Sequence, residues 1–313
     1  MNVAALDIGS NSFHLLIVEK TDKGLVPIQR YKDKVQLGAG LDADNYLSNR
    51  AIQRGLTTVT SFIKHLNEHN VSKVYTAATN TLRLAKNGAQ FITEAEAILM
   101  QSINIISGDK EAELIFEAVT DELNYDGTGL VIDIGGGSTE FAIGSMQQTK
   151  HTITTDYKNS AQMGCVNYQR RFFSDGKIFN ENMQAAITSG RLSMEPMLSS
   201  INKYELNWII GTSGTLQSIA EICAQLYHGS ENRLLRSQLQ DLKKRLILVG
   251  HSEQLNFKCL DSNRKKILPA GLAISLAIMQ TLDCEEMEIG QASLCEGMLI
   301  HALGQSFLTS PAS

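Results

Sequence analysis

The feature that most constrains this chain is a repeated unit. Residues 5–18 read ALDIGSNSFHLLIV and residues 131–144 read VIDIGGGSTEFAIG. Each is an apolar run through an aspartate, a bare glycine turn and a second apolar run, which is how two strands joined by a tight turn appear in sequence. Laying Asp7 over Asp133 puts LDIGSNS on IDIGGGS at an offset of 126 residues. Agreement in both motif and strand pattern predicts an internal duplication of a half-fold.

The segments around the two units alternate strand and helix. SNRAIQRGLTTVTSFIKHLNEH predicts a helix, because Ile52, Leu56, Val59, Ile63 and Leu66 recur every three or four residues. Ser48 is placed to cap it. VSKVYTAAT reads as strand, AQFITEAEAILMQS as helix and INII as strand. GDKEAELIFEAV reads as a helix with Asp109, Glu111 and Glu113 at its positive amino end. The polar stretch DELNYDGTG predicts a domain boundary near residue 124. The expected domains are therefore 1–124 and 125–313, with the final helix free to pack back on the first.

In the second half, ENMQAAITSGRLSMEPMLSSI is expected to be helical until Pro196 disturbs it. LNWIIG reads as strand, TSGTLQSIAEICAQL as a loop feeding a helix, and LQDLKKRLILVG and 270–282 as helices. EMEIG is a short strand and SLCEGMLIHAL a final helix. Helices mixed with regular short strands give an α/β fold.

Composition narrows the partners. A net charge of −5 argues against binding to a nucleic-acid duplex, yet leaves room for a local anion pocket. Five cysteines, Cys165, Cys223, Cys259, Cys284 and Cys295, are scattered without a CxxC pair. They read as reduced thiols of a cytoplasmic protein. The start, MNVAALDIG, does not read as a signal peptide. The most apolar helix, 270–282, is too short for a bilayer, which takes about 20 residues, so no membrane partner is expected. A homodimer is left open.

Three glycine-bearing loops each follow an apolar strand. They are Gly9-Ser10-Asn11-Ser12, Gly135-Gly136-Gly137-Ser138-Thr139 and Gly211-Thr212-Ser213-Gly214-Thr215. Glycine lets the backbone approach a ligand closely, and successive N–H groups form an anion-binding nest to which hydroxyls add donors. The third loop also enters a helix, whose amino end favours phosphate. The alternative is three ordinary tight turns; their recurrence at comparable strand ends favours a phosphate cleft. Neither GxxxxGK[ST] nor GxGxxG is present.

Asp133 and Glu140 flank the second loop, and a strand–turn–strand unit brings both to one rim. Such oxygen ligands suit Mg²⁺, which would screen phosphate from carboxylate and offset charge on a transferring phosphoryl group. Asp7 is a third candidate ligand; otherwise Asp7 and Asp133 cap turns. A base to activate water is sought in Glu111 or Glu113, which the residues alone do not separate from each other or from surface glutamates. Arg83 offers a planar fork for phosphate oxygens, or is a surface arginine. NRKK at 263–266 adds local positive charge, either for the distal part of an anion or as a solvated loop.

Taken in order, ALDIGSNSFHLLI, QLGAGL, AATNTLRLAKN, IISGDKEAELIF, VIDIGGGSTE, MGCV, GTSGT and LPAGLAI cover almost the whole chain. Together they closely resemble the exopolyphosphatase / guanosine pentaphosphate phosphohydrolase family. That family belongs to the sugar kinase, Hsp70 and actin-like superfamily of duplicated ribonuclease-H-like domains with an inter-domain cleft. The resemblance implies that the base is Glu111, immediately before the alanine of the SGxxEA segment. It implies metal- and water-positioning roles for Asp133 and Glu140, a phosphate-binding role for Arg83, and an amide and hydroxyl cradle at 9–12 and 135–138. The implied activity removes terminal phosphates from inorganic polyphosphate, or from guanosine pentaphosphate to give guanosine tetraphosphate. NTLRLAKNGAQF and SAQMGCV are more similar to the guanosine pentaphosphatase branch.

The chain also departs from the family. Longer members carry a helical HD-type domain, whereas this sequence stops soon after its final helix and contains no His-Asp pair. It resembles the short two-domain form, or a part of the long one. Cys295 stands where the family usually has an arginine before EG. The alternatives to a hydrolase are an actin-like ATPase or sugar kinase, and a non-catalytic sensor of alarmone or polyphosphate.

Overall fold

The computed structural model describes residues 1–123, 125–147 and 152–308. The chain divides into two units, Met1–Asn124 with Ala292–Ser313, and Tyr125–Gln291.

The first unit is built on a mixed sheet. Its strands are β1 (Asn2–Ile8), β2 (Phe13–Lys20), β3 (Leu25–Asp33), β4 (Lys73–Ala78) and β5 (Asn104–Ile105), in the order β3-β2-β1-β4-β5. β2 and β3 run antiparallel to their neighbours, while β4 and β5 join in parallel. Val3, Ala4, Ala5 and Leu6 are wholly buried, so the central strand β1 is covered on both faces and its sequence is a continuous apolar run. The helices are α1 (Asn49–Glu68), α2 (Asn80–Leu84), α3 (Gly88–Leu99) and α4 (Gly108–Leu123), and α10 (Leu294–Leu303) returns from the end of the chain. Ser48 caps α1 by accepting from the Ala51 N–H. α10 packs on α4 and on β1. Gly297 permits this contact, since a Cβ there would fall 1.9 Å from the Leu114 carbonyl oxygen.

The second unit repeats the plan with one more strand. β6 (Gly127–Ile134), β7 (Thr139–Gln147), β8 (Thr152–Ala161), β9 (Trp208–Thr212), β10 (Arg233–Leu235) and β11 (Glu286–Ile289) lie in the order β10-β11-β9-β6-β7-β8. As in the first unit, the opening strand is central, the next two follow antiparallel on one side, and two later strands join in parallel on the other. α5 (Cys165–Phe172), α6 (Asn180–Ile201), α7 (Gly214–Tyr227), α8 (Arg236–Val249) and α9 (Ser262–Thr281) complete the unit. Every residue of α9 from Leu268 to Met279 is buried, and α9 packs against α5, α6 and α8.

Several elements differ from expectation. Pro196 does not end α6, which continues to Ile201. Proline forfeits one backbone hydrogen bond, and buried Met194, Met197 and Ile201 hold the turns on either side of it. NRKK is the opening turn of α9 and not a loop. Asp261 caps that turn by accepting from the N–H groups of Asn263 and Arg264, each at 3.0 Å, and the Arg264 guanidinium donates to Ser218 Oγ. β3, β8, β10 and α5 have no counterpart in the sequence reading. β3 is an edge strand with most of its residues exposed, and β8 reads TITTDYKNSA, so neither presents an apolar run. No helix among the described residues is long and apolar enough to cross a membrane.

Candidate active site

The chemistry-bearing segments leave the carboxyl ends of parallel strands, where open α/β sheets bind ligands. In the first unit, β1 runs into the loop at Gly9, β4 into α2 with Arg83, and β5 towards α4 with Glu111. In the second, β6 runs into the loop at Gly135 and β9 into the loop at Ser213.

The two glycine turns resemble each other in their close contacts. A Cβ on Gly9 would lie 2.7 Å from the Ser12 carbonyl oxygen, and one on Gly135 would lie 3.1 Å from that of Ser138. A side chain thus has no room at Gly9 and little at Gly135, at matching places in two turns 126 residues apart. In the first loop, the Ser10 and Asn11 carbonyls accept from the N–H groups of Gly38 and Gln36, both at 2.8 Å. In the second, the Gly135 and Gly136 carbonyls accept from the Cys165 N–H at 3.0 Å and the Val166 N–H at 2.9 Å, and Asn167 Nδ2 donates to the Gly137 carbonyl at 2.8 Å. QLGAGL and MGCV therefore have equivalent tasks: each fixes a glycine loop by its carbonyl side. Gly164 lies so close beneath its loop that a Cβ would stand 2.3–2.5 Å from Gly136 and Gly137 backbone atoms.

The carboxylates line up across the strands. The β6–β7 register sets Asp133 directly opposite Glu140, and the β6–β9 register sets Asp133 beside Thr212. Directly opposed residues share a sheet face, so Asp133 and Glu140 occupy one rim. Glu140 is buried, and its Oε1 accepts from Ser138 Oγ at 2.6 Å and Ser160 Oγ at 2.7 Å. The equivalent row in the first unit has Asp7 opposite His14. The Asp7 carboxylate oxygens lie 3.6 and 3.7 Å from the Cβ position of Gly9, so the side chain lies against its loop. Ser160 opens the SAQMGCV stretch but was assigned no role there, and Asn167 lies just beyond it, a polar residue without a motif.

Glu111 is not a surface glutamate. It is in the first turn of α4 and buried. Arg83 Nη1 donates to Glu111 Oε2 and to the Ile106 carbonyl, both at 2.8 Å, while Arg83 Nη2 is buried without a hydrogen-bond partner among the described residues. Burial raises the Glu111 pKa above the ordinary carboxylate value, and the charge and hydrogen bond of Arg83 oppose that rise. Glu113 is engaged differently, accepting from Lys110 Nζ at 2.7 Å. Glu113, Glu117 and His301 bring three potential metal-ligand atoms within 4.8 Å of one another. The Lys110 ammonium already lies among them, 2.9 Å from His301 Nε2, which makes this an ion-pair network tying α10 to α4.

The third loop departs from a bare anion cradle. A Cβ on Gly211 would meet Met287 Sδ at 2.5 Å and Leu216 Cδ1 at 2.6 Å, so this glycine serves packing. Ser213 caps α7 itself, its Oγ accepting from the Thr215 and Leu216 N–H groups at 3.2 and 3.3 Å. Its φ of +112° is a conformation normally left to glycine. Thr215 Oγ1 lies 3.6 Å from Cys165 Sγ. Cys295, at the position where arginine was expected, is buried with its Sγ 3.7 Å from the His14 carbonyl and 3.9 Å from that of Ala5. Burial pushes its thiol pKa well above the usual value.

Two mixed-sheet α/β units, each with a carboxylate beside a glycine turn, define the class of fold. The chain belongs to the Ppx/GppA phosphatase family, whose model matches residues 16–306. It is 37% identical over 303 residues to a guanosine-5'-triphosphate,3'-diphosphate pyrophosphatase of Aeromonas hydrophila, covering 97% of this chain and 60% of that relative. The chain thus spans well under two thirds of that relative's length. Among solved structures it is similar to an exopolyphosphatase from Cytophaga hutchinsonii, with a TM-score of 0.86, 25% identity, and coverage of 97% and 98% of the two chains. It also shares its fold with the Aquifex aeolicus Ppx/GppA family member, with a TM-score of 0.77, 24% identity and coverage of 97% of each chain.

Proposed function

We propose that this chain hydrolyses the terminal phosphoanhydride of guanosine pentaphosphate, giving guanosine tetraphosphate and phosphate, or of inorganic polyphosphate, or of both. The observation that carries this reading is the buried Arg83–Glu111 pair in a member of this family. Burial leaves Glu111 a stronger base than an exposed carboxylate, and the arginine holds its orientation, as general-base activation of water requires. Unspent donor capacity at Arg83 Nη2 suits a phosphoryl oxygen.

The remaining roles follow from placement. Carbonyl groups of the 9–12 and 135–138 loops are engaged from one side, and the Gly135 N–H donates to the Ser138 carbonyl at 2.9 Å within its turn, which supports the reading that other loop amides receive phosphate. Gly9, Ser10, Asn11 and Ser12 on the first unit, and Gly135, Gly136, Gly137 and Ser138 on the second, would each offer a phosphate-binding loop. Thr212 and Gly214 would flank Asp133, with Gly211, Ser213 and Thr215 shaping that wall. The opposed carboxylates of Asp133 and Glu140 form a hard oxygen donor set suited to Mg²⁺; Asp7, beside its own glycine loop, is the equivalent candidate on the first unit. Bound magnesium would supply charge neutralisation during phosphoryl transfer. Glu111 would align a water in line with the leaving oxygen and take its proton.

The matching strand orders support a duplicated ribonuclease-H-like architecture of the actin-like superfamily. We place the protein in the cytoplasm, acting on small anions and on neither nucleic-acid duplexes nor membranes. The test is phosphate release in magnesium from guanosine pentaphosphate and from polyphosphates of several lengths. Release from either supports hydrolysis; release from neither, or phosphate transfer from ATP to a sugar, overturns it.

A further inference from the structure

Tyr46 is large, aromatic and 48% exposed, yet its backbone is fixed from several directions. It belongs to a short hairpin in which Leu41 bridges Leu47. Asp42 Oδ1 accepts from the N–H groups of Asp44 at 2.9 Å and Tyr46 at 2.8 Å, and the Asp42 N–H donates to the Tyr46 carbonyl at 3.0 Å. Asn45 takes a left-handed conformation, φ +64°, to close the turn.

Both ends of this hairpin lead to the candidate phosphate site. Gly38, three residues before Leu41, donates its N–H to the Ser10 carbonyl of the first glycine loop at 2.8 Å. On the other side, the Lys86 N–H donates to the Asn45 carbonyl at 2.9 Å. Asn87 makes reciprocal hydrogen bonds with the Leu47 backbone at 2.8 and 2.9 Å. Lys86 is three residues from Arg83, so their backbones are within about 11 Å. The Lys86 ammonium sits 5.4 Å from the centre of the Tyr46 ring. The result is a half-exposed aromatic ring on a hydrogen-bonded hairpin, with a cation beside it, on the same unit as Arg83, Glu111 and the first glycine loop.

An ordered aromatic face beside cations is what a nucleobase on a phosphate chain requires: stacking for the base and positive charge for the phosphates. A bare polyphosphate has no use for the ring. We propose that Tyr46 and Lys86 form a nucleobase shelf, on which the guanine of a guanosine polyphosphate stacks while its phosphate chain runs towards Arg83. This rests on the hydrolase reading above, and makes Tyr46 a residue that favours nucleotide over inorganic polyphosphate.

Two measurements test it. The first is the ratio of kcat/KM for guanosine pentaphosphate to kcat/KM for a short polyphosphate, in wild type, Tyr46→Phe and Tyr46→Ala. Tyr46→Ala should lower the ratio roughly tenfold, through KM for the nucleotide, as expected for loss of one base stack; Tyr46→Phe should keep it. A ratio unchanged in Tyr46→Ala, or a wild type that cleaves polyphosphate and not the nucleotide, overturns the shelf while leaving the hydrolase reading standing. The second is calorimetric binding of guanosine tetraphosphate, which needs no turnover. Equal affinity in wild type and Tyr46→Ala overturns the shelf even if the protein proves to hydrolyse neither substrate.

Discussion

Arg83 Nη1 lies 2.8 Å from Glu111 Oε2, within a largely buried pair. The same nitrogen also donates to the Ile106 carbonyl, so the arginine is fixed at both ends of the β5–α4 connection. Replacing Glu111 with glutamine keeps the side chain's size and removes the base. Phosphate release by Glu111→Gln should fall by about two to four orders of magnitude, the usual worth of general acid–base catalysis. Substrate affinity should be partly retained. Stopped-time phosphate assays with a parallel binding titration check this, and wild-type turnover in the variant would exclude Glu111 as the base.

The raised pKa of Glu111, caused first by burial, has two consequences of known sign. Activity needs the ionised carboxylate, so the acid limb of kcat/KM should lie above the ordinary carboxylate range and vanish in any residual activity of Glu111→Gln. Stability runs the other way. The folded state holds this proton more tightly than the unfolded state, so the Glu111 contribution is fully present below the unfolded pKa. It is lost as pH rises through the folded pKa. Denaturant melts of wild type and Glu111→Gln across that window should converge at low pH and separate above it.

Glu140 Oε1 is held by two hydroxyls, from Ser138 and Ser160. Removing one should loosen the carboxylate without abolishing its charge. Ser160→Ala is expected to cost about 1 kcal/mol of stability and to raise modestly the magnesium concentration at half-maximal rate. Asp133→Asn should raise it far more. Magnesium titrations of phosphate release separate the two, and identical curves for wild type and Asp133→Asn would remove Asp133 from the metal site.

Gly164 has no room for a side chain, since an added Cβ would fall 2.3 Å from the Gly137 carbonyl carbon. Gly164→Ala must displace the second glycine loop, and overpacking of this kind costs about 1–3 kcal/mol. A lowered thermal midpoint with a larger loss of kcat/KM than the melt explains is expected. A control at Gly229, where the nearest atom to an added Cβ is 3.9 Å away, should be close to neutral.

What could be read from sequence follows from what each residue must satisfy locally. The offset between Asp7 and Asp133 was visible because a close turn leaves little room for a side chain at Gly9 and Gly135 and an apolar strand precedes each. Glu111 was a candidate base beside Glu113, and only family resemblance separated the two. Its burial and its pairing with Arg83 depend on β4 and β5 lying side by side, which no local pattern encodes. β8 was missed because Ser160 serves Glu140 from a polar strand, and the Ser213 cap was missed because a serine at φ +112° breaks the local rule for that residue. MGCV and QLGAGL were noticed as matches, but their shared task of bracing the glycine loops appears only when the carbonyl acceptors are followed in space.

The return of α10 to the first unit has a consequence for how the chain is made. Tyr125–Gln291 is continuous in sequence, whereas the sheet that begins at Asn2 lacks one covering layer until Ala292 and the residues after it emerge. On the ribosome, the segment synthesised later is therefore the one able to finish first. A chain truncated after Gln291 and released from the ribosome should show a protease-resistant second unit beside a sensitive first one. Emergence of Ala292 and the residues after it would then seat Gly297 against Leu114 and Cys295 over β1, so that the sheet begun at Asn2 is covered only after the second unit is complete.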